Sequence, residues 1–346
     1  MKYEVTLGVP VFNVEKYVRK MMDSALAQTF QSIEFLICDD CGTDHSIEIV
    51  REYQQTHPRG KDIRIVRQPQ NMGIGAGRNR IVDEARGRYL YFMDADDTIA
   101  SNTIEILYQA AQQYQAQLVY GSYERIEDFD DETRRIPFQY PAMQFAEEDA
   151  FANYVYRKYD GIQAMIWNVL IDINVYRENH LHHQLVNYWE DFTFTMDLPT
   201  YVTPVVLLPD VTYSYYCHNG SLSHFQQRDH ISKEEIQKTI DAVSRIKANS
   251  DRIRHKSYFP RRMYKVMMTD FYIIDTILKQ TAVISPSFGN SEIKDIMHSP
   301  LTCTEILRFR QARTANMLLF LLGKLPASLM IALVKLLVRI KTLFRG

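Results

Sequence analysis

Short apolar segments alternate with amphipathic segments through the first third of the chain. Compact runs of apolar and β-branched residues are typical of buried strands, whereas apolar residues that recur every three or four positions are typical of helices. The pattern predicts strands over residues 5–9, 33–38, 63–67, 89–93 and 118–120, and helices over 16–27, 46–55, 75–85 and 103–113. Repeated strand-helix-strand units predict a largely parallel sheet with helices on both faces.

After residue 121 this alternation stops. Residues 123–159 are rich in acidic and aromatic side chains, and no pattern assigns the segment 122–188. Helical periodicity returns over 232–279, which includes a basic stretch at 252–262. We therefore expect a second half of different organisation, followed by a helical extension.

The C-terminal segment 317–344 is very apolar, yet basic residues interrupt it and Pro326 is expected to break or start a helix. Its longest uncharged stretches are about ten residues, shorter than the roughly 20 that a membrane-spanning helix needs. On a helical projection, five polar residues fall within about 60° of one another: Lys324, Ser328, Lys335, Arg339 and Thr342. An apolar arc beside a cationic stripe favours the surface of an anionic bilayer. The alternative is a helix buried against the protein itself or a dimer partner.

The composition is that of a globular protein and gives no overall reason to expect a nucleic-acid partner. The chain has 346 residues, 46% of them apolar, and a formal net charge of −2. This allows a substantial core in one or two domains and gives no overall attraction to polyanions. The four cysteines are scattered, and the N-terminus lacks the basic-then-apolar pattern of a signal peptide. We expect reduced thiols in a cytosolic setting.

Three carboxylates, Asp94, Asp96 and Asp97, lie within four residues directly after the predicted strand 89–93. Carboxylates this close repel one another unless a cation or hydrogen-bond donors lie among them. Mg²⁺ and Mn²⁺ take oxygen ligands, and such ions commonly bind through one or two carboxylates and the phosphates of a substrate. The cluster therefore indicates a nucleotide diphosphate site. A second interpretation is an acidic strand-to-helix turn in which an aspartate caps the next helix.

Polar loops follow each of the first four predicted strands, at residues 10–13, 39–44, 71–79 and 94–97. In parallel sheets, ligands bind outside the carboxyl ends of the strands, where these turns converge. The four loops are therefore expected to form one site.

Several short motifs, in this order and approximate spacing, resemble those of family 2 glycosyltransferases of the GT-A fold: 9–13 (VPVFN), 39–40 (DD), 71–73 (NMG), 78–79 (RN), 94–97 (DADD) and 190–191 (ED). The resemblance covers about residues 1–225. It implies an α/β fold of GT-A type, a Rossmann-like sandwich with a mixed, mostly parallel central sheet. Residues 1–120 would form the nucleotide-sugar half and 121–225 the acceptor half. A helical extension at 226–310 and an amphipathic basic tail at 316–346 would follow.

On the donor side, a carboxylate at position 39 can accept the N3–H of a uracil-like base, and in the family the matching aspartate does so. The resemblance implies that Pro10 and Phe12 line the base pocket, that Asp94 contacts the ribose or sugar, and that Arg78 binds the diphosphate. Asp40 and Asn71 complete the donor-binding set, and a UDP-sugar is the favoured donor. A helix cap for the loop after Asp39 and a surface position for Arg78 are the competing interpretations.

The resemblance also implies a divalent metal, Mn²⁺ or Mg²⁺, bound by Asp96 with a further contact from His218. For the second half it implies that Asp191 is the catalytic base and that Glu190, beside it, binds the acceptor or positions the loop. Trp189 would offer an apolar platform to an acceptor sugar. The competing interpretations are a helix N-terminus for residues 189–191 and a polar core position for His218.

The leading hypothesis is an inverting, metal-dependent glycosyltransferase at the cytoplasmic face of the cell membrane. Its donor would be a nucleotide diphosphate sugar, its acceptor a glycan or lipid-linked precursor of cell-surface polysaccharide, and the tail would contact the membrane surface. The alternatives are a nucleotidyltransferase and a non-catalytic, membrane-tethered binding protein on the same fold. A nucleotidyltransferase is expected to have a basic, glycine-rich loop after the first strand. Nucleic-acid binding is not expected, since no recognised module is present.

Overall fold

The computed structural model describes residues 3–129, 132–157, 165–186, 190–217 and 229–343. The chain forms two compact units. The first comprises Met1–Phe151 and Gly161–Ser221, and the second comprises Ala152–Asp160 and Leu222–Gly346.

The first unit begins with four parallel strands: β1 (Tyr3–Val11), β2 (Ile33–Asp39), β3 (Ile63–Arg67) and β4 (Gly87–Phe92). Their order in the sheet is β3-β2-β1-β4. Every residue of β2 is buried, as expected for a strand that has neighbours on both sides and helices on both faces. The helices in this half are α1 (Val18–Leu26), α2 (Ser46–Thr56), α3 (Ile74–Glu84) and α4 (Thr103–Gln113).

Beyond β4 the first unit contains further strands: β5 (Thr98–Ile99), β6 (Leu118–Phe129), β7 (Glu132–Phe138), β8 (Met143–Phe145), β9 (Val169–Asp172) and β10 (Val205–Cys217). The sheet becomes mixed and continues in the order β9-β6-β10-β5, with β7 paired to β6 and β8 paired to β10. β10 is parallel to β6, whereas β9 is antiparallel to both β4 and β6. Helices α6 (Ile173–Glu178) and α7 (Glu190–Thr195) belong to this unit, whereas α5 (Ala150–Arg157) begins in the first unit and continues into the second. The predicted α/β fold with a mixed central sheet is confirmed.

Strand register brings the predicted loops to one edge of the sheet. Val11 pairs with Asp39, and Asp39 pairs with Arg67, so the carboxyl ends of β1, β2 and β3 are level. Gly8 pairs with Phe92, which places the turn after β4 at the same edge. The loops that follow these strands therefore share one rim.

The main differences from prediction lie after residue 117. The strand predicted at 118–120 continues to residue 129 as β6 and forms a hairpin with β7. Its outer part, with the sequence ERIED, has one buried apolar residue, Ile126, among charged residues, so apolar periodicity could not detect it. The helix predicted at 103–113 has the observed bounds of α4.

The second unit is mainly helical and packs around α9 (Phe259–Lys279). A buried ion pair joins Lys247 Nζ to Asp270 Oδ2 at 2.5 Å, and Lys247 also donates to the carbonyl oxygen of His298 at 3.1 Å. The remaining elements are β11 (Ile231–Ser232), α8 (Lys233–Asn249), β12 (Ile284–Ser285), α10 (Asn290–Ile296), α11 (Cys303–Arg308), α12 (Arg313–Lys324) and α13 (Ala327–Leu343).

The C-terminal tail is two helices, because α12 ends at Lys324 and α13 begins at Ala327. Pro326 lies in the break, as predicted, since proline has no N–H for the helical ladder. The expectation that Lys324 shares one continuous helical stripe with Ser328 and Lys335 is therefore wrong. No helix in the described part of the chain is both long enough and apolar enough to cross a membrane.

Candidate active site

Asp39, at the end of β2, lies at the edge of a small cavity. Its Oδ1 accepts a hydrogen bond from the backbone N–H of Cys41 at 2.9 Å, and its Oδ2 lies 3.4 Å from Nε of Arg67. The cavity, of about 60 Å³, is lined by Asp39 together with Val11, Asn13 and Arg67. The carboxylate is thus held in place by the turn and remains beside open space.

Asp40 supports the neighbouring loop. Its two carboxylate oxygens accept from the backbone N–H groups of Met72 and Gly73, at 2.8 and 2.9 Å. Asn71 Oδ1 also accepts from the N–H of Gly73, at 3.1 Å. Gly73 has a φ of 82°, which favours glycine. Asp40 therefore shapes the 71–73 loop, and its predicted contact with the donor, like that of Asn71, stays a prediction.

Pro10 and Phe12 lie where β1 ends. Pro10 is half-buried in the strand, whereas Phe12 is 42% exposed just beyond it. An exposed aromatic ring at a strand end offers a stacking face to a planar ligand. The rim thus presents a carboxylate and a ring in the region where the sequence predicts the base.

Arg78, on α3, lies at the centre of a cluster of carboxylates. Its Nη1 donates to both Glu190 and Asp191 at the start of α7, and its Nη2 donates to Asp94 Oδ1 at 3.1 Å. The Arg78 side chain is 1% exposed. One buried guanidinium therefore joins α3, the end of β4 and the start of α7, bringing together four of the predicted site residues.

Burial and neighbouring charges together raise the pKa values of Arg78, Asp191 and Asp94. Burial alone would lower the pKa of Arg78, but the charges of Asp191, Glu190 and Asp94 outweigh it and raise that pKa. Burial raises the pKa of Asp191 to about 7, with Arg78 opposing and Glu190 adding to the shift. Burial likewise raises the pKa of Asp94 to about 6, against the effect of Arg78. Both carboxyl groups therefore titrate near neutral pH.

Asp97 anchors the aspartate turn to β10. Its two oxygens accept from the hydroxyl of Tyr213 at 2.6 Å and from the backbone N–H of Tyr216 at 2.8 Å. The same hydroxyl accepts from the N–H of Asp94 at 3.2 Å. Burial, followed by the charges of Asp96 and Asp94, raises the pKa of Asp97 well above its usual value. Tyr213 therefore fixes both ends of the turn, which sequence reasoning did not anticipate.

Asp96 is half-buried in this turn, between Asp94 and Asp97. In the described part of the chain, no three histidine, cysteine or acidic side chains converge as a metal cage. The donor chemistry still fits a hard cation, because Mg²⁺ or Mn²⁺ binds through one or two carboxylates when substrate phosphates supply further oxygens. His218 and Trp189 lie outside the described residues, so their predicted roles stay predictions.

His183 is a site residue that the sequence analysis did not identify. Its Nδ1 lies 2.5 Å from Glu190 Oε1, and its Nε2 lies 3.1 Å from the hydroxyl of Tyr176. Burial lowers the pKa of His183 well below its usual value, so the ring is neutral at physiological pH. The only sequence signal was a group of histidines at 180, 182 and 183 in an unassigned segment.

Residues 6–172, just under half of the chain, match the model of glycosyl transferase family 2. Glycosyltransferase GlyA of Streptococcus pneumoniae serotype 4 is 38% identical over 120 residues, which is 35% of this chain and 17% of GlyA. The cholesterol galactosyltransferase of Borreliella burgdorferi is 25% identical over 281 residues, covering 79% of this chain and 77% of the relative.

Solved structures share the fold at low identity. TarS 1–349 of S. aureus, in complex with UDP-GlcNAc, has a TM-score of 0.61 and 14% identity over 92% of this chain and 90% of that one. Mannosyltransferase PcManGT of Pyrobaculum calidifontis, in complex with GDP-Man and Mn²⁺, has a TM-score of 0.52 over 97% and 88% of the two chains, at 13% identity. These neighbours are GT-A glycosyltransferases, and the predicted GT-A fold is confirmed.

The mixed sheet and its acidic rim, together with these likenesses, define the protein as a glycosyltransferase. Over residues 6–172 it is similar to glycosyl transferase family 2.

We expect Arg78→Met to destabilise the first unit strongly, because Asp94, Glu190 and Asp191 would lose their buried counter-ion. Removing one partner of a buried ion pair costs about 3–5 kcal/mol. Urea unfolding followed by tryptophan fluorescence measures this change, since Trp167 lies in that unit.

The matched control is Arg80→Met, two residues along the same helix. Arg80 is 45% exposed and pairs with Glu84 at 2.9 Å in an i,i+4 arrangement, so its loss is expected to cost about 0.3–0.5 kcal/mol. Equal unfolding midpoints for the two variants would contradict the central role of Arg78.

Proposed function

We propose that this glycosyltransferase moves a sugar from a nucleotide diphosphate sugar, with a UDP-sugar favoured, to an acceptor hydroxyl with inversion at the anomeric carbon. One observation carries the proposal. The Arg78 cluster holds Asp191, the candidate base, and Asp94, the candidate donor ligand, at the rim that also bears Asp39.

The donor side rests on Asp39 and Phe12. An ionised carboxylate accepts hydrogen bonds, and the N3–H of uracil is a donor at the edge of a flat ring. Phe12, at the same rim, offers that ring an apolar face. The TarS complex with UDP-GlcNAc and the PcManGT complex with GDP-Man support a nucleotide-sugar donor.

Asp96 is the proposed protein ligand of a divalent metal, with His218 as a further candidate. Mn²⁺ in the PcManGT complex supports the presence of such an ion. When bound, the ion neutralises negative charge on the departing nucleoside diphosphate and so makes it a better leaving group. Asp97 and Tyr213 hold the turn that presents Asp96, which keeps its carboxylate at the rim.

Asp191 is the proposed general base. Its side chain is 26% exposed, so an acceptor can reach it, and a pKa of about 7 suits proton transfer near neutral pH. As the acceptor oxygen forms its bond to the anomeric carbon, Asp191 takes the hydroxyl proton. The bond between that carbon and the diphosphate oxygen breaks on the opposite face, which inverts the configuration.

The proposed acceptor is a growing cell-surface polysaccharide or a lipid-linked glycan. The B. burgdorferi relative is named for a reaction with a lipid, cholesterol, and the likeness to it extends over most of both chains. This supports an acceptor that is itself lipid or attached to lipid.

We place the protein at the cytoplasmic face of the cell membrane, bound through its C-terminal tail. Residues 306–346 contain eight lysines and arginines and no acidic residue. In α13, Met330, Ile331 and Val334 are buried, whereas Leu329 and Leu336 are exposed and lie about 20° apart on the helix. Leu318 and Leu321 are likewise exposed on α12. Exposed leucines beside cations suit the interface of an anionic bilayer.

Asp191→Asn is expected to lower turnover by about 10² or more, because the amide cannot take the acceptor proton. Nucleotide binding should be unchanged. The measurement is the initial rate of nucleoside diphosphate release from a panel of UDP- and GDP-sugars with Mn²⁺. Asp83→Asn, at an exposed position on α3, is the matched control. Wild-type turnover in the Asp191 variant would show that Asp191 is not the base.

Asp96→Ala is expected to remove metal-dependent nucleotide binding, because the rim loses its proposed metal ligand. The electron paramagnetic resonance signal of free Mn²⁺ reports this, since it falls as the ion binds. With UDP or GDP present, the wild type and the Asp83→Ala control should deplete the signal to saturation, whereas Asp96→Ala should not. Depletion equal to that of the wild type would refute the assigned role.

The double variant Leu329→Gln, Leu336→Gln is expected to weaken binding to vesicles of phosphatidylcholine and phosphatidylglycerol by about 10²-fold or more, since each buried leucine contributes about 1.5–3 kcal/mol. Co-sedimentation measures this, with Leu185→Gln, an exposed leucine of the first unit, as the control. Wild-type protein that stays in the supernatant, or that forms a dimer which the double variant dissociates, would contradict membrane binding.

A further inference from the structure

His183 is enclosed by aromatic rings. Its imidazole stacks on Phe194 of α7, with ring centroids 4.2 Å apart and planes 16° apart, and it meets the edge of Phe92 at 5.7 Å. The His183 side chain is fully buried. The ring therefore has one orientation, and that orientation aims one nitrogen at Glu190 and the other at Tyr176.

The partners of the two nitrogens assign the tautomer. Glu190 is paired with Arg78, so its carboxylate accepts from His183. The ring proton therefore lies on Nδ1, and Nε2 accepts from the hydroxyl of Tyr176. The result is a directed chain in which Tyr176 donates to His183 and His183 donates to Glu190. The second oxygen of Glu190 accepts from Arg78.

Two hydrogen bonds join the segment that carries His183 to α3, next to Arg78. The backbone N–H of His183 donates to Asn79 Oδ1 at 2.7 Å, and Asn79 Nδ2 donates back to the carbonyl oxygen of His183 at 2.9 Å. A Cβ at Gly75 would lie 2.3 Å from the carbonyl oxygen of Gln184. Glycine at this position therefore allows residues 183–184 to approach the helix, which brings His183 to the Arg78 cluster.

We propose that His183 is a positioning residue that sets the reactivity of Asp191 through Glu190. Nη1 of Arg78 donates one hydrogen to Glu190 and the other to Asp191, so the two carboxylates share its positive charge. The hydrogen bond from His183 keeps Glu190 against Arg78. Without that bond Glu190 is free to rotate away. Asp191 then faces more of the positive charge of Arg78 and less of the negative charge of Glu190, so it holds a proton less readily and is a weaker base. The inference rests on the proposed function, since it concerns the base of the same site.

The experiment compares His183→Asn with His183→Gln and His183→Leu. The asparagine amide nitrogen can stand near Nδ1 and donate to Glu190, whereas that of glutamine reaches the Nε2 position and leucine donates nothing. His182→Leu, an exposed neighbour in the same segment, is the control. Each variant is assayed for Mn²⁺-dependent UDP and GDP binding by calorimetry, and for the rate of diphosphate release from the nucleotide sugar that the wild type turns over fastest.

We expect His183→Leu and His183→Gln to lower kcat by about 10-fold to 10²-fold, as small misplacements of catalytic groups do. Nucleotide affinity should stay within about twofold of wild type, and His183→Asn should recover most of the rate. If His183→Leu does not fold, the asparagine and glutamine variants make the same comparison.

Two results would overturn this inference and leave the proposed function unaffected. One is wild-type kcat in folded His183→Leu or His183→Gln. The other is loss of rate, affinity and thermal stability together in all three variants, which indicates a purely structural histidine. A wild type that binds no nucleotide and turns over no donor overturns the proposed function and this inference with it.

Discussion

The structure of the candidate site depends on one buried charge, the guanidinium of Arg78. Three carboxylates from two separate parts of the chain meet it: Asp94 after β4, and Glu190 and Asp191 at the start of α7. Without a cation among them, these carboxylates would repel one another in a site with little water. The same contacts hold Asp191 near Asp94, so one ion-pair cluster assembles the site and sets its proton chemistry.

Further hydrogen bonds hold this cluster in place at the edge of the sheet. Tyr213 of β10 binds both Asp94 and Asp97, which ties the aspartate turn to the second half of the first unit. Asp40 orders the loop that leads into α3, and His183 holds Glu190. Tyr213, Asp97, Asp40 and His183 are polar and buried, and each makes hydrogen bonds within the site, as buried polar groups generally do. They provide the rigidity that a transferase needs to bring donor and acceptor together.

Much of the fold over residues 3–113 could be predicted from sequence because its signals are local. Apolar periodicity located β1 to β4, and the loops after them, including 39–44 and 94–97, fell at one rim as parallel strands require. The contacts of Asp97 with Tyr213 and of His183 with Glu190 could not be predicted in this way. The first joins residues 116 positions apart. The second involves His183, which lies in a segment without hydrophobic periodicity. The polar end of β6 was also missed, because charged residues surround its one buried apolar residue, Ile126.

We propose that the rim around Asp39, Asp94 and Asp96 binds a nucleoside diphosphate with a divalent metal. The decisive experiment is calorimetric titration of the full chain with UDP, GDP and CDP, each with Mn²⁺ and again with EDTA. We expect saturable binding of one nucleotide, UDP being favoured, that EDTA abolishes. Binding that EDTA leaves unchanged would contradict the role of the metal, and no binding of any of the three would contradict the donor site itself.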